Sequence, residues 1–164
     1  MKVHCNEIIQ PDGPRQTRSS RRKRYLIGKH VAGGYAPIGR ATRGWVAYNL
    51  DDGVMLFLKE QWRANCTGVN PEIKTYERLR QHGVRGAATV IAGGDVPGHK
   101  TVSQQYFDSQ GIELSERIHT RLVFKEVGRP LETYRDSIEL ILLIGQAILG
   151  APLRHSPRLF LTLL

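Results

Sequence analysis

A few places in the 164-residue sequence carry residue types that could do chemistry. Gly39-Arg40-Ala41-Thr42-Arg43-Gly44 is a glycine-bearing segment, and Lys59 is the charged residue that closes the apolar run Val54 to Leu58. Glu72 and Glu77 lie in a stretch with the charge and apolar spacing of a helix. A lysine ammonium can hold a phosphate, and a carboxylate can hold a lysine. Taken singly, each has a plainer reading: a hairpin turn, a strand-end solvent charge and solvent-facing helical carboxylates. Cys5 and Cys66 have no paired spacing and no His cluster nearby, which argues against a disulfide scaffold or a structural zinc site. They read as free thiols in a reducing compartment, and no metal site is expected.

Turn and periodicity signals outline the elements that would position these residues. Tyr25-Leu26-Ile27 is a short β-like run before Gly28, and Gly33-Gly34 is a turn. Trp45 to Leu50 and Val54 to Lys59 read as two antiparallel strands joined by Asp51-Asp52-Gly53, whose Asp-Gly step is a hairpin signal. The segment Gly39 to Gly44 leads into that hairpin. Pro71 to His82 reads as a helix, with Asn70 as its cap, Pro71 in the first turn and Gly83 at its end. Ile73, Tyr76 and Leu79 make its apolar face. A strand is expected at Thr89 to Ala92, then a turn at Gly93-Gly94-Asp95 and a polar loop or long hairpin insert from Pro97 to Glu116. Arg121 to Lys125 reads as a further strand, and the chain from Glu132 as helical, most clearly Ser137 to Leu149. There is no internal repeat.

Length allows one ordinary domain. Hydrophobic residues make up 40% and mean hydropathy is −0.34, values of neither a wholly disordered chain nor a membrane protein. Lys and Arg number 24 against 15 Asp and Glu, giving +9. Residues 1–24 supply +5 of this, so basicity is mostly a property of the tail. Pro11 to Pro14 and the run Arg15 to Arg24 predict a disordered basic arm. Such a run can serve as a nuclear localisation signal or stay a solvated tail in the cytoplasm. It lacks the interleaved aromatics of a single-strand binder, so nucleic acid is not the expected partner. The first residues hold no apolar core of the kind a secretory signal needs, and the twelve residues Ile138 to Leu149 fall short of the about 20 that span a bilayer. An intracellular protein with no membrane contact is expected.

Hairpin, helix, strand, insert, strand and helix is the layout of a protein kinase small lobe, and the residues at the critical places resemble it too. Gly39 to Val46 resembles the glycine-rich loop, with Ala41 where the second glycine usually sits and Val46 as the valine that packs on adenine. Phe57-Leu58-Lys59 resembles the third-strand element whose lysine holds the α- and β-phosphates. The resemblance then implies that Glu72, or Glu77 as runner-up, is the αC glutamate that pairs with Lys59. Leu122 to Glu132 resembles the fifth strand and hinge, with Phe124 as gatekeeper and the backbones of Glu126 and Val127 facing adenine. Leu58 to Arg63, Glu72 to Arg80, Gly83 to Gly86, Ala92 to Val96 and Lys125 to Leu131 together look like the fungal-type protein kinase family. The likeness runs from about Pro37 to Gly150.

What this implies is an α+β fold, a kinase-like small lobe with a twisted antiparallel sheet and one αC-type helix. A C-terminal αE-like helix and the disordered basic tail complete it. The expected partition is a tail at 1–24, lobe and hinge at 25–134, the start of a second lobe at 135–150 and an atypical tail at 151–164. ATP is the implied ligand, held weakly, and the family's reaction is γ-phosphoryl transfer to Ser or Thr. That reaction also needs a proton-accepting Asp and Mg²⁺ ligands on segments after αE. No Asp follows Asp136, and Leu153-Arg154-His155 has suitable residue types in the wrong order. No catalytic residue or Mg²⁺ ligand is therefore assigned, and the chain is expected to be a truncated domain, inactive alone. The alternative is a non-catalytic, pseudokinase-like module that binds a nucleotide, or a protein partner through the αE-like face, where Ile138, Ile141, Leu142 and Ile148 have little to bury against.

Overall fold

The alternation of apolar and polar residues in the strands sorts side chains onto two faces, and short turns make neighbours antiparallel. In the computed structural model, which describes residues 4–8, 23–33, 40–84, 86–111 and 113–149, this yields one α+β unit. A six-stranded antiparallel sheet has the order β1-β2-β3-β4-β6-β5. Its strands are β1 (His4–Ile8), β2 (Lys23–Ile27), β3 (Arg43–Asn49), β4 (Val54–Ala64), β5 (Val90–Lys100) and β6 (Arg117–Phe124). Helix α1 (Glu72–Gln81) links β4 to β5. A one-and-a-half-turn helix, α2 (Ser103–Asp108), sits in the β5–β6 connection, and α3 (Ser137–Leu149) ends the described chain.

The β3–β4 hairpin forms at the Asp-Gly step. Gly53 has φ 67° and its N–H donates to the Asn49 carbonyl at 2.9 Å. The buried Asn49 side chain accepts from the Asp51 N–H and donates to Asp52, so the turn satisfies its own polar groups. Opposite faces of the sheet then build two cores. Tyr25, Ile27, Trp45, Ala47, Leu56, Leu58, Ala92 and Val123 pack on one. On the other, Phe57, Leu122 and Phe124 meet Ile73 and Tyr76 of α1. Tyr76 is edge-on to Phe124, with ring centroids 5.2 Å apart.

Several expectations are corrected. The arm through Arg24 is not wholly irregular, because His4–Ile8 pairs with Lys23–Ile27 along five residues. An antiparallel neighbour supplies backbone hydrogen bonds whatever the side chains, so a five-residue strand escapes a compositional reading. Residues 9–22 of the arm and 151–164 of the C-terminal tail lie outside the described residues. Gly93-Gly94-Asp95 is not a turn, since β5 runs through it to Lys100 with shifted register on either side. Gly93 has φ 139°, and a Cβ there would collide with the Arg121 carbonyl, so the glycine permits close strand approach rather than reversal. The polar insert accordingly shrinks to the α2 hairpin connection. Asn70 does not cap α1: Pro71 occupies the N-cap position, with no side-chain capping bond.

Candidate functional site

Strand register decides what surrounds Lys59. Gly44, Lys59 and Leu122 stand side by side across β3, β4 and β6, and the next row is Val46, Phe57, Phe124 and, on β5, Val90. Both rows lie on the face that α1 covers. Lys59 follows Phe57 by two residues, so it emerges from the same core, and its side chain is only 13% exposed.

Helix α1 brings Glu72 to meet it. Lys59 Nζ donates to Glu72 Oε1 at 2.9 Å and to Oε2 at 3.2 Å. Glu72 lies in the first turn, where a carboxylate also answers the helix dipole. Ile73 and Tyr76 pack on the sheet from the same helix, but no residue of α1 is fully buried. Polar contacts therefore carry a large share of its docking. Burial pushes the Tyr76 hydroxyl up, with the nearby Glu72 charge adding to it. Glu77, the runner-up, lines a separate cavity of about 380 Å³ between α1 and β5 with Ile73, Tyr76, Arg80 and Val90. None of Gly44, Val46, Lys59 or Glu72 lines that cavity.

The glycine-bearing segment approaches from β3. Gly39 lies outside the described residues. Ala41 has φ 44°, the left-handed region where a Cβ costs about 1 kcal/mol and glycine is favoured. The Trp62 N–H donates to the Arg40 carbonyl at 2.7 Å, which lays the segment beside β4 beyond Lys59. Gly44 is a tight point: a Cβ there would lie 2.5 Å from the ring tip of Phe57. Val46 is half-buried in the row that Phe57 centres, and Phe124 is buried against Phe57 and Tyr76. Glu126 uses its side chain structurally, accepting from the Thr89 N–H and hydroxyl, each at 2.8 Å. Val127 is 36% exposed beside it.

The structure thus gathers Gly44, Val46, Lys59, Glu72 and Phe124 around one face of the sheet. It adds a residue that the sequence reading did not assign. Gln61, two places beyond Lys59, donates from Nε2 to Glu72 Oε2 at 2.5 Å and is 4% exposed. Ending the strand at Lys59 hid it, whereas period-two spacing along the longer β4 puts Gln61 on the lysine's face. Beyond it, Arg63 grips Asp95 with two hydrogen bonds at 2.9 and 2.5 Å. The Arg63 hydrogen bond holds the Asp95 carboxyl below the usual carboxylate range, outweighing its partial burial. An ammonium and a paired carboxylate beside backbone that can approach closely are suited to holding an anion. Comparison of the chain with protein-family models, with curated proteins and with solved structures finds no match.

Proposed function

We propose that this chain is a phosphate-holding module of the protein kinase small-lobe type, in which Lys59, kept in place by Glu72, receives the phosphates of ATP. The observation that carries the reading is the Lys59–Glu72 pair itself, joining a strand to a helix over thirteen residues at 2.9 Å. The left-handed backbone at Ala41 and the apolar Val46–Phe57–Phe124 row support it. Phe57 fills the middle of that row, so affinity should rest on phosphate contacts more than on the base. No Asp follows Asp136 and no residue is assigned as base or Mg²⁺ ligand, so ATP binding is the activity proposed here.

Calorimetric titration with ATP tests it. Lys59→Ala should weaken binding about tenfold or more, the value of a charge-assisted contact to phosphate. Binding that ignores the substitution, or no binding by the unaltered chain, would sink the reading. A second reading, a protein-binding module, is favoured by α3, where Ile138, Ile141 and Ile148 are exposed by 71%, 68% and 78%. It requires a complex in pull-downs that survives Lys59→Ala.

A further inference from the structure

The geometry points to Gln61 as a positioning residue: it holds Glu72, and through Glu72 it sets where the Lys59 ammonium stands. Its bearing on ATP rests on the function proposed above; its bearing on Lys59 does not.

Gln61 occupies a strand position, inside the sheet-to-helix layer, that Phe57 fills with an aromatic ring four residues earlier. A buried amide at such a position needs a reason, since uncharged apolar side chains would pack there without polar groups to satisfy. The reason lies at its donor end. Glu72 Oε2 accepts from Gln61 Nε2 at 2.5 Å and from Lys59 Nζ at 3.2 Å, while Oε1 accepts from Lys59 at 2.9 Å. The amide orientation follows, because turning it over would set Oε1 against the carboxylate, acceptor facing acceptor. Gln61 Oε1 is itself buried and accepts no hydrogen bond among the described residues. The residue is therefore held by its bond to Glu72 and not by a network of its own.

The helix side gives Glu72 little alternative support. α1 has no fully buried residue, and its N-cap, Pro71, makes no side-chain capping bond. Two side chains of β4, two residues apart on one face, provide the hold. The consequence is functional. With Gln61 donating to Oε2, the Glu72 carboxylate stays placed to hold the Lys59 ammonium where it would meet an anion.

The test reads Lys59 directly in the full chain, by its rate of acylation with an amine-reactive ester, scored by mass spectrometry against the exposed Lys100 as internal reference. Gln61→Met and Gln61→Leu both remove the donor at different side-chain lengths, and cooperative melting identifies folded protein. Each should raise the Lys59 rate about threefold or more, and Glu72→Gln about tenfold, the range of a hydrogen bond to a charged group. In the Glu72→Gln background, Gln61→Met should add nothing, because its effect passes through Glu72. Unchanged Lys59 rates in both Gln61 variants, an unchanged rate in Glu72→Gln, or full additivity of the two substitutions would each overturn the assignment. Failure to bind ATP would count against the proposed function and leave these rates to decide the role of Gln61.

Discussion

Lys59 and Glu60 are neighbours in β4 that leave the sheet on opposite faces, and their charges are held differently. Lys59 finds its partner on a helix, Glu72, and the row it belongs to is complete only when α1 is docked. Glu60 finds its partners within the sheet: Arg121, directly opposite on β6, donates from Nε at 2.5 Å, and His119 Nε2 lies at 3.6 Å. That polar row continues as a stack, with Trp62 and His119 rings 4.9 Å apart and His99 next at 5.7 Å. Charges closed off between strands serve the sheet's stability. A charge held from a helix at the edge of the sheet layer, as Lys59 is by Glu72, can be offered to a ligand.

Three measurements press on this difference, the largest effect first. Leu58, fully buried between Lys59 and Phe57 in sequence, belongs to the core on the Glu60 face. Leu58→Ala should lower unfolding free energy by about 3 kcal/mol in denaturant titration. A loss below about 1 kcal/mol would mean that this face is not the main core. Gly44 tests the other face, because a Cβ there must displace the buried Phe57 ring. Gly44→Ala should lose about 1–2 kcal/mol by overpacking and weaken ATP binding as well, since Lys59 stands directly opposite in the register. Stability loss with unaltered affinity would separate the row from the anion site.

The smallest effect is on pH dependence. Burial works to raise the Glu60 carboxyl, but the nearby His119 ring and the hydrogen bond and charge of Arg121 overcome it and hold the group below the ordinary glutamate value. A carboxyl depressed in the folded state contributes stability that is present above its unfolded value and is lost as pH falls through the folded one. Glu60→Gln should therefore flatten the acid limb of the stability curve below about pH 4.5. The change should be under about 1 kcal/mol, in the range of partly solvated pairs. An acid limb identical to that of the unaltered chain would assign the loss to other carboxylates, Asp95 first among them.

Much of the frame was legible because its signals are local. Asp51-Asp52-Gly53 specifies a hairpin by backbone conformation, and the spacing of Ile73, Tyr76 and Leu79 specifies a helix by period. Helix α3 falls on Ser137–Leu149, as its apolar run predicts. The misreadings concern partners distant in sequence. Gly93-Gly94-Asp95 carries turn residues, yet β6 draws it into a strand, with Asp95 opposite Thr120 and bonded to its hydroxyl. His4–Ile8 has no compositional mark of a strand and becomes one by pairing with β2.

The sequence alone determined that a lysine would follow the apolar run of a strand and that a glutamate would stand in the first turn of the next helix, because both follow from patterns a few residues long. Only the tertiary structure decided that the Glu72 carboxylate is divided between Lys59, which donates to both oxygens, and Gln61, which donates to Oε2. That division depends on how far β4 extends and how α1 settles upon it, and both are set by packing across the sheet.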